Sequence, residues 1–310
     1  MRYSKINIIG AGCIGHLLAF KFSKKVQDPK IEVNLYTRRL KKKRHLQYQS
    51  PTDYFELTVQ YSVLDNWKQP DLIIICVKYP QLEKLCQRLT NLSSNNKIMQ
   101  YIPILILMNG MGILEIVMSY LPNNPIYQAV TTHGAKFQQN TLLHTGFGET
   151  QIGSLQVGRN EEHKNALCGL LNLYLPKTFL DNNIEQALWK KLLINAVINP
   201  LTTIHDIENG KIIGNSAIKQ ECSLLCLELS PMLNHLNVFD DSQHLFEQVC
   251  FVAQQTKNNI SSMRQDHLNH RKSEIDSITG YLLKQAKRLN IDLPLHNKIY
   301  RKIKRLENHF

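Results

Sequence analysis

Two domains of different class are predicted for this 310-residue chain: an α/β domain on a mostly parallel sheet over residues 1–182, then an all-helical domain over 183–310. Three observations carry that expectation. A β-branched apolar run at 5–10 passes through three closely spaced glycines into a helical pattern. Two continuous apolar runs, at 71–78 and 103–112, read as strands buried on both faces, as in a parallel sheet. From about residue 160 the periodicity becomes helical, with no further strand alternation, so the class changes near Asp181-Asn182-Asn183, a polar hinge.

Composition narrows the function classes. At 43% hydrophobic and 20% charged, the chain can bury sizeable cores. The net charge of +12 gathers at Lys24/Lys25, at Arg38 to Arg44 and in the final helix from Lys284 to Arg305. That balance suits an anionic ligand, but no aromatic-interleaved platform accompanies it, and nucleic-acid binding is not expected. The seven cysteines are odd in number and lie mostly in apolar contexts, which reads as reduced, packed thiols in a cytoplasmic protein. Cys222 and Cys226 sit one helical turn apart without a second pair at ligand spacing, so no metal site is expected. The apolar run after Met1 to Lys5 is broken by glycines, which disfavours an export signal, and no run approaches the roughly 18 apolar residues of a membrane span.

Within the first domain, Gly10-Ala11-Gly12-Cys13-Ile14-Gly15 stands between a strand and a helix, the context a GxGxxG pattern requires to bind a dinucleotide. Gly10 permits the tight turn, Gly12 lets backbone approach a pyrophosphate, and Gly15 allows close helix packing. The helix N-terminus adds N–H groups and a positive dipole around Cys13 and Ile14. The second strand, 31–36, ends in Thr37-Arg38-Arg39 instead of the Asp or Glu that would accept from a ribose 2′-hydroxyl. Guanidinium groups suit a 2′-phosphate, so NADP(H) is the expected cofactor, with Arg38 its contact and the later residues to Arg44 an exposed loop. Residues 45–70 contribute one or two strands. Two strand ends carry polar residues where ligands bind in open α/β sheets: Lys78 after 71–78, before a helix at 80–91, and Asn109 in 103–112. Either can also be read as a solvated strand end or turn residue. Further strands occupy 126–158, where His133 is at most a loop histidine near the cofactor crevice.

In the second domain Lys191, Asn195 and Asn199 recur at i, i+4 and i+8 in the apolar stretch 189–202, which stacks them on one helix face. Pro200 is expected to end that helix, leaving Asn199 on its last turn. One face does not distinguish a site from a polar stripe that caps neighbouring backbone while Lys191 reaches solvent. Ser262 with Gln265 fits a capping box, and twelve residues beyond Ser262 stands Glu274, in a helical pattern with Ile275, Ile278, Leu282 and Leu283 on its apolar face.

Taken together, GAGCIG at 10–15, VK at 77–78, NGMG at 109–112, TTHGA at 131–135, WKKLLINAVINPLT at 189–202, SSMRQD at 261–266 and SEID at 273–276 resemble the ketopantoate reductase family nearly end to end. The resemblance implies a Rossmann-type domain holding NADPH and an all-α second domain like the C-terminal domain of 6-phosphogluconate dehydrogenase. It also implies reduction of 2-dehydropantoate to (R)-pantoate in pantothenate biosynthesis, by a monomer or homodimer. Lys191 takes the place of the family's catalytic lysine. Asn195, Asn199, Ser262 and Glu274 match its substrate-binding positions, and Lys78 and Asn109 its cofactor and active-site contacts. Segment 40–66 matches little, and Lys78 is followed by Tyr-Pro, which leaves the adenine side and the posture of Lys78 open. A reductase of another branched 2-oxo acid, or an NADPH-binding sensor without turnover, would share much of this pattern.

Overall fold

The computed structural model describes residues 3–24, 31–38, 43–95, 97–156 and 161–310; Lys25 and the basic run from Arg39 to Lys42 lie outside them. The chain divides into two compact units, Met1–Met108 with Leu114–Ile184, and Asn109–Ile113 with Glu185–Phe310.

In the first unit β1 (Lys5–Ile9) leads through the glycine turn into α1 (Cys13–Ser23) and β2 (Glu32–Tyr36). There follow β3 (Arg44–Gln49), β4 (Tyr54–Val59), β5 (Tyr61–Ser62), β6 (Leu72–Ile75), α2 (Leu82–Asn95), β7 (Ile104–Ile106) and α3 (Ile113–Tyr120). The remainder is β8 (Ile126–Thr131), β9 (Gly134–Gln138), β10 (Thr141–Gly146), β11 (Thr150–Gly153), α4 (Glu161–Tyr174) and β12 (Thr178–Leu180). The main sheet runs β12-β11-β8-β7-β6-β1-β2-β5. Its neighbours from β5 to β8 are parallel, and β11 is antiparallel to β8. This Rossmann-type sheet explains the continuous apolar runs: Leu72 to Ile75 and Ile104 to Ile106 are all buried, with helices required to cover both faces.

A second sheet, β4-β3-β10-β9, joins the strands expected in 45–70 to two of those expected in 126–158, an association the sequence did not suggest. Its centre is a parallel pairing of β3 with β10, whose members are far apart in sequence. α1 packs against β1 and β2 of the main sheet and against β9 and β10 of the second. Leu17, Leu18, Phe20 and Phe22 are all buried there, as a helix covered on more than one side must be apolar round most of its girth. His133 lies in the loop between β8 and β9, as expected, and is buried there in a polar chain. Its Nδ1 lies 3.1 Å from Nε2 of His144, whose Nδ1 lies 2.9 Å from the Tyr48 hydroxyl. Burial lowers the pKa of both rings, that of His144 to about 4.

The helical unit comprises α5 (Ile184–Ile204), α6 (Lys211–Gly214), α7 (Ser216–Glu228), α8 (Ser230–Leu236), α9 (Ser242–Gln255) and α10 (Ser262–Leu268). A π-helical turn (Asp276–Gly280) then leads into α11 (Tyr281–Arg288) and α12 (Pro294–Glu307). Among the described residues no helix is long and apolar enough to cross a membrane.

Three expectations are corrected. Helical character after residue 160 is interrupted by β12, a three-residue strand beside β11, too short to show a two-residue period. The run at 103–112 is a strand only over Ile104–Ile106, and Asn109 to Ile113 group with the helical unit. Pro200 does not end α5, which continues to Ile204. Leu201 is fully buried, and the hydroxyls of Thr202 and Thr203 donate to the carbonyls of Ile198 and Asn199 at 2.7–3.0 Å, so packing and side-chain bonds carry the helix past the missing N–H.

The glycine turn shows why two of its glycines are fold requirements. Gly10 has φ +120°, and a methyl on it would strike the carbonyl of Cys76 at the end of β6. A methyl on Gly15 would collide with the Gly10 carbonyl, a backbone atom that cannot step aside. Gly15→Ala is therefore expected to destabilise the protein by about 3 kcal/mol, lowering its Tm by roughly 5–10 °C. Thermal denaturation followed by circular dichroism checks this; an unchanged Tm would show that the turn is looser than described.

Candidate active site

Gly10, Arg38 and Lys78 follow the carboxyl ends of three adjacent parallel strands, β1, β2 and β6. The Gly10 N–H donates to the Tyr36 carbonyl at 3.1 Å, and the Cys76 N–H to the Ile9 carbonyl at 2.8 Å, so the three exits are tied together. Gly12 is the N-cap of α1 with no side-chain cap, no acid follows in the first turn, and a methyl on Gly12 would meet nothing within 4 Å. A helix N-terminus with no side-chain cap, beside open space at Gly12, suits an anion such as a pyrophosphate. Arg38 is exposed just beyond β2, and no carboxylate stands at that strand end. Lys78, half-buried, caps the 3₁₀ turn Tyr79–Gln81 in extended conformation, where the Pro that follows Tyr79 fits the first turn.

The helical unit gathers the other candidates. α5 carries Lys191, Asn195 and Asn199 on one face; Asn199 is buried and Asn195 half-buried. Lys191 has protein packed about its ammonium, and burial lowers its pKa from 10.5 to about 8 despite the opposing pull of Glu274. Glu274 is only 4% exposed, and its Oε2 accepts from Nδ2 of Asn109 at 3.2 Å. Lys191, Glu274 and Asn109 are therefore electrostatically or directly linked, although Asn109 was expected among strand-end residues of the first unit. The Asn109 loop is seated closely: the Met111 N–H donates to the Ser277 carbonyl at 2.9 Å, and a methyl on Gly110 would strike the Ser277 side chain.

Ser262 opens α10, but the cap is Ser261, whose Oγ accepts from the Arg264 N–H at 3.2 Å and lies 2.7 Å from the Thr202 hydroxyl oxygen. Ser261, at φ −60° and ψ 153°, is therefore the cap, and the Ser262–Gln265 pair is not a capping box. This leaves Ser262 on the first turn, and the Thr202 bond ties that turn to α5. Glu274 belongs to a tight turn before the π-helical segment and not to a regular helix; its carbonyl accepts from the N–H groups of Ser277 and Ile278 at 3.1 Å. The sequence reading missed the side chains that grip this turn, Tyr300, Lys304 and Glu307 of α12. Their i, i+4, i+7 spacing was a visible signal, obscured by the basic residues among which they lie.

The arrangement offers an anion cradle with a nearby guanidinium in one unit and, in the other, a proton-bearing amine with a depressed pKa, amides on its helix face and a buried carboxylate. Such a set suits proton transfer to a developing oxyanion. Comparison with known proteins agrees with an oxidoreductase. The family model for ketopantoate reductase PanE/ApbA matches residues 6–156, and that for the ketopantoate reductase PanE/ApbA C terminal matches 183–307. The 2-dehydropantoate 2-reductase of Vibrio cholerae serotype O1 is 31% identical over 304 residues, 97% of each chain. Among solved structures, D-mandelate dehydrogenase in a ternary complex with NADH and anilino(oxo)acetate has a TM-score of 0.84 at 22% identity, covering 98% of this chain and 99% of that one. Dimeric ketopantoate reductase from Staphylococcus aureus has a TM-score of 0.75 at 20% identity, with the same coverage. At these identities the structural likeness speaks for the fold, whereas the sequence match over nearly the whole length speaks for descent: the chain belongs to the ketopantoate reductase family of oxidoreductases.

Proposed function

We propose that this chain reduces 2-dehydropantoate to (R)-pantoate with NADPH, using residues 1–182 as the cofactor domain, 183–310 as the substrate domain and Lys191 as general acid. The observation that carries the reading is the alignment of Lys191, half-buried, with two amides on one face of α5, where the buried carboxylate of Glu274 supports its charge. The cofactor assignment rests on the uncapped N-terminus of α1, the open space over Gly12, and the arginine in place of a carboxylate after β2.

Gly12, Cys13, Ile14 and Gly15 would hold the pyrophosphate at the N-terminus of α1, with Gly10 shaping the turn that brings it there; Arg38 would meet the 2′-phosphate, and Lys78 and Asn109 would complete the cofactor contacts. When bound, NADPH supplies the hydride that the 2-oxo carbon receives. As the carbonyl bond breaks, negative charge grows on its oxygen; the Lys191 ammonium stabilises that charge and gives its proton to the oxygen, so that a hydroxyl is left and the amine is reprotonated from solvent. A pKa of about 8 keeps the lysine charged at neutral pH yet makes it a far better proton donor than an ordinary lysine. Asn195 and Asn199 orient substrate oxygens, and Ser262 binds the carboxylate. Glu274, a poor neighbour for a carboxylate, accepts from the 4-hydroxyl that separates this substrate from simpler 2-oxo acids.

Oxidation of NADPH by the purified protein in the presence of 2-dehydropantoate tests the reading at 340 nm. Lys191→Ala is expected to lower kcat by about 10²- to 10⁴-fold with little change in NADPH affinity; turnover that survives the substitution removes Lys191 from the mechanism. The wild-type kcat/KM should be level below pH 8 and fall about tenfold per pH unit above it, because the acid is charged only below its pKa of about 8. A profile that rises through that range would require a base in place of an acid. Arg38→Ala should raise KM for NADPH about tenfold and leave KM for NADH unchanged, since one charge-assisted contact to the 2′-phosphate is lost. Equal effects on both cofactors would sink the 2′-phosphate assignment.

A further inference from the structure

We propose that Glu307, with Lys304, is the positioning device for Glu274, so that the last helix of the chain sets how the enzyme discriminates among 2-oxo acids. The inference rests on the role given above to Glu274 and names what holds that carboxylate in place.

Glu274 is gripped on both sides. Before it, the N–H and hydroxyl of Ser273 both donate to Oε1 of Glu307, at 2.7 and 2.6 Å, and the Ser273 hydroxyl in turn accepts from the Ile275 N–H at 3.2 Å. After it, Asp276 accepts from the Tyr300 hydroxyl at 2.7 Å and from Nζ of Lys304 at 3.0 Å. Lys304 also lies 3.7 Å from Oε2 of Glu307, which joins the two grips. Tyr300, Lys304 and Glu307 occupy one face of α12, and Ser273, Glu274 and Glu307 are all buried.

A neutral acceptor could satisfy one serine. Burying a full carboxylate for it carries a desolvation penalty that is offset only when the donors are short, several and fixed. The arrangement therefore fixes the backbone of residues 273–276 tightly, and with it the direction of the Glu274 side chain towards Asn109. The π-helical turn that follows is a geometry frequent at functional sites and needs such external restraint. Releasing Glu307 would let the Glu274 carboxylate drift from the substrate hydroxyl and from Lys191, with two separate consequences: lost discrimination and a weaker hold on the lysine proton.

The test uses the full-length protein with 2-dehydropantoate and with 3,3-dimethyl-2-oxobutanoate, which lacks the hydroxyl. Rates are scaled to the fraction that binds NADPH. Glu307→Ala is expected to lower kcat/KM for 2-dehydropantoate about tenfold while sparing the second substrate, and to move the alkaline limb of the pH profile to lower pH, as Glu274→Gln does. Glu307→Gln keeps an acceptor for Ser273 and should stay within about twofold of wild type. Should Glu307→Ala fail to fold, Ser273→Ala removes the same hydroxyl contact and should change ratio and limb in the same directions. Equal losses on both substrates with an unmoved limb mean a merely structural helix and overturn the proposal. If Glu274→Gln leaves the substrate ratio unchanged but moves the limb, the hydroxyl reading of Glu274 fails, and the limb in Glu307→Ala alone decides the positioning claim. If Glu274→Gln moves neither, both fall together.

Discussion

A carboxyl group with 4% of its surface open to water must be held by donors and, where ionised, balanced by a cation, and Glu274 is so placed. Asn109 supplies a donor and Lys191 the balancing charge. The same account applies in reverse to Lys191, whose burial would drive its proton off more strongly without the nearby anion. Each group makes the other tolerable. Much else in the helical unit follows from that mutual requirement: a loop carrying Asn109 that needs glycine where it approaches Ser277, a turn at 273–276 clasped from α12, and a long helix that continues through a proline without releasing its polar face.

The α/β unit is organised by a different constraint, the closeness of backbone to backbone. The glycine turn sorts its three glycines by physical role. At Gly10 and Gly15 a methyl would meet carbonyl oxygens of the protein itself, whereas over Gly12 there is open space. The fold requires two of the glycines and leaves room at the third.

Legibility in the sequence followed distance along the chain. The strand, glycine turn and helix at 5–23 could be read because their sequence signals follow one another directly, and the stripe Lys191, Asn195 and Asn199 because helical spacing assigns a face before any partner is known. The second sheet escaped notice: β3 and β10 pair across roughly a hundred residues, and no period in 44–49 announces a partner at 141–143. The link from Asn109 to Glu274 spans 165 residues and was invisible for the same reason. Pro200 misled for another: a local rule about proline was overridden by a fully buried Leu201 and two threonine hydroxyls. Lys304 and Glu307 were hidden by composition, since a run rich in cations reads as solvated surface until two of its members are seen to clasp buried groups.

The parallel pairing of β3 with β10 also governs the order of events during synthesis. Leu46 and Tyr48, both fully buried against α1 and β10 in the finished unit, leave the ribosome about a hundred residues before their partners. At roughly 5–20 residues per second, β3 can pair with β4 almost at once, but its other edge stays open for about 5–20 seconds. Until β10 arrives, α1 can dock on β1 and β2 but has nothing to cover its other flank. The long contact therefore leaves one edge of the β3–β4 hairpin open throughout that interval, the place where a wrong strand could add.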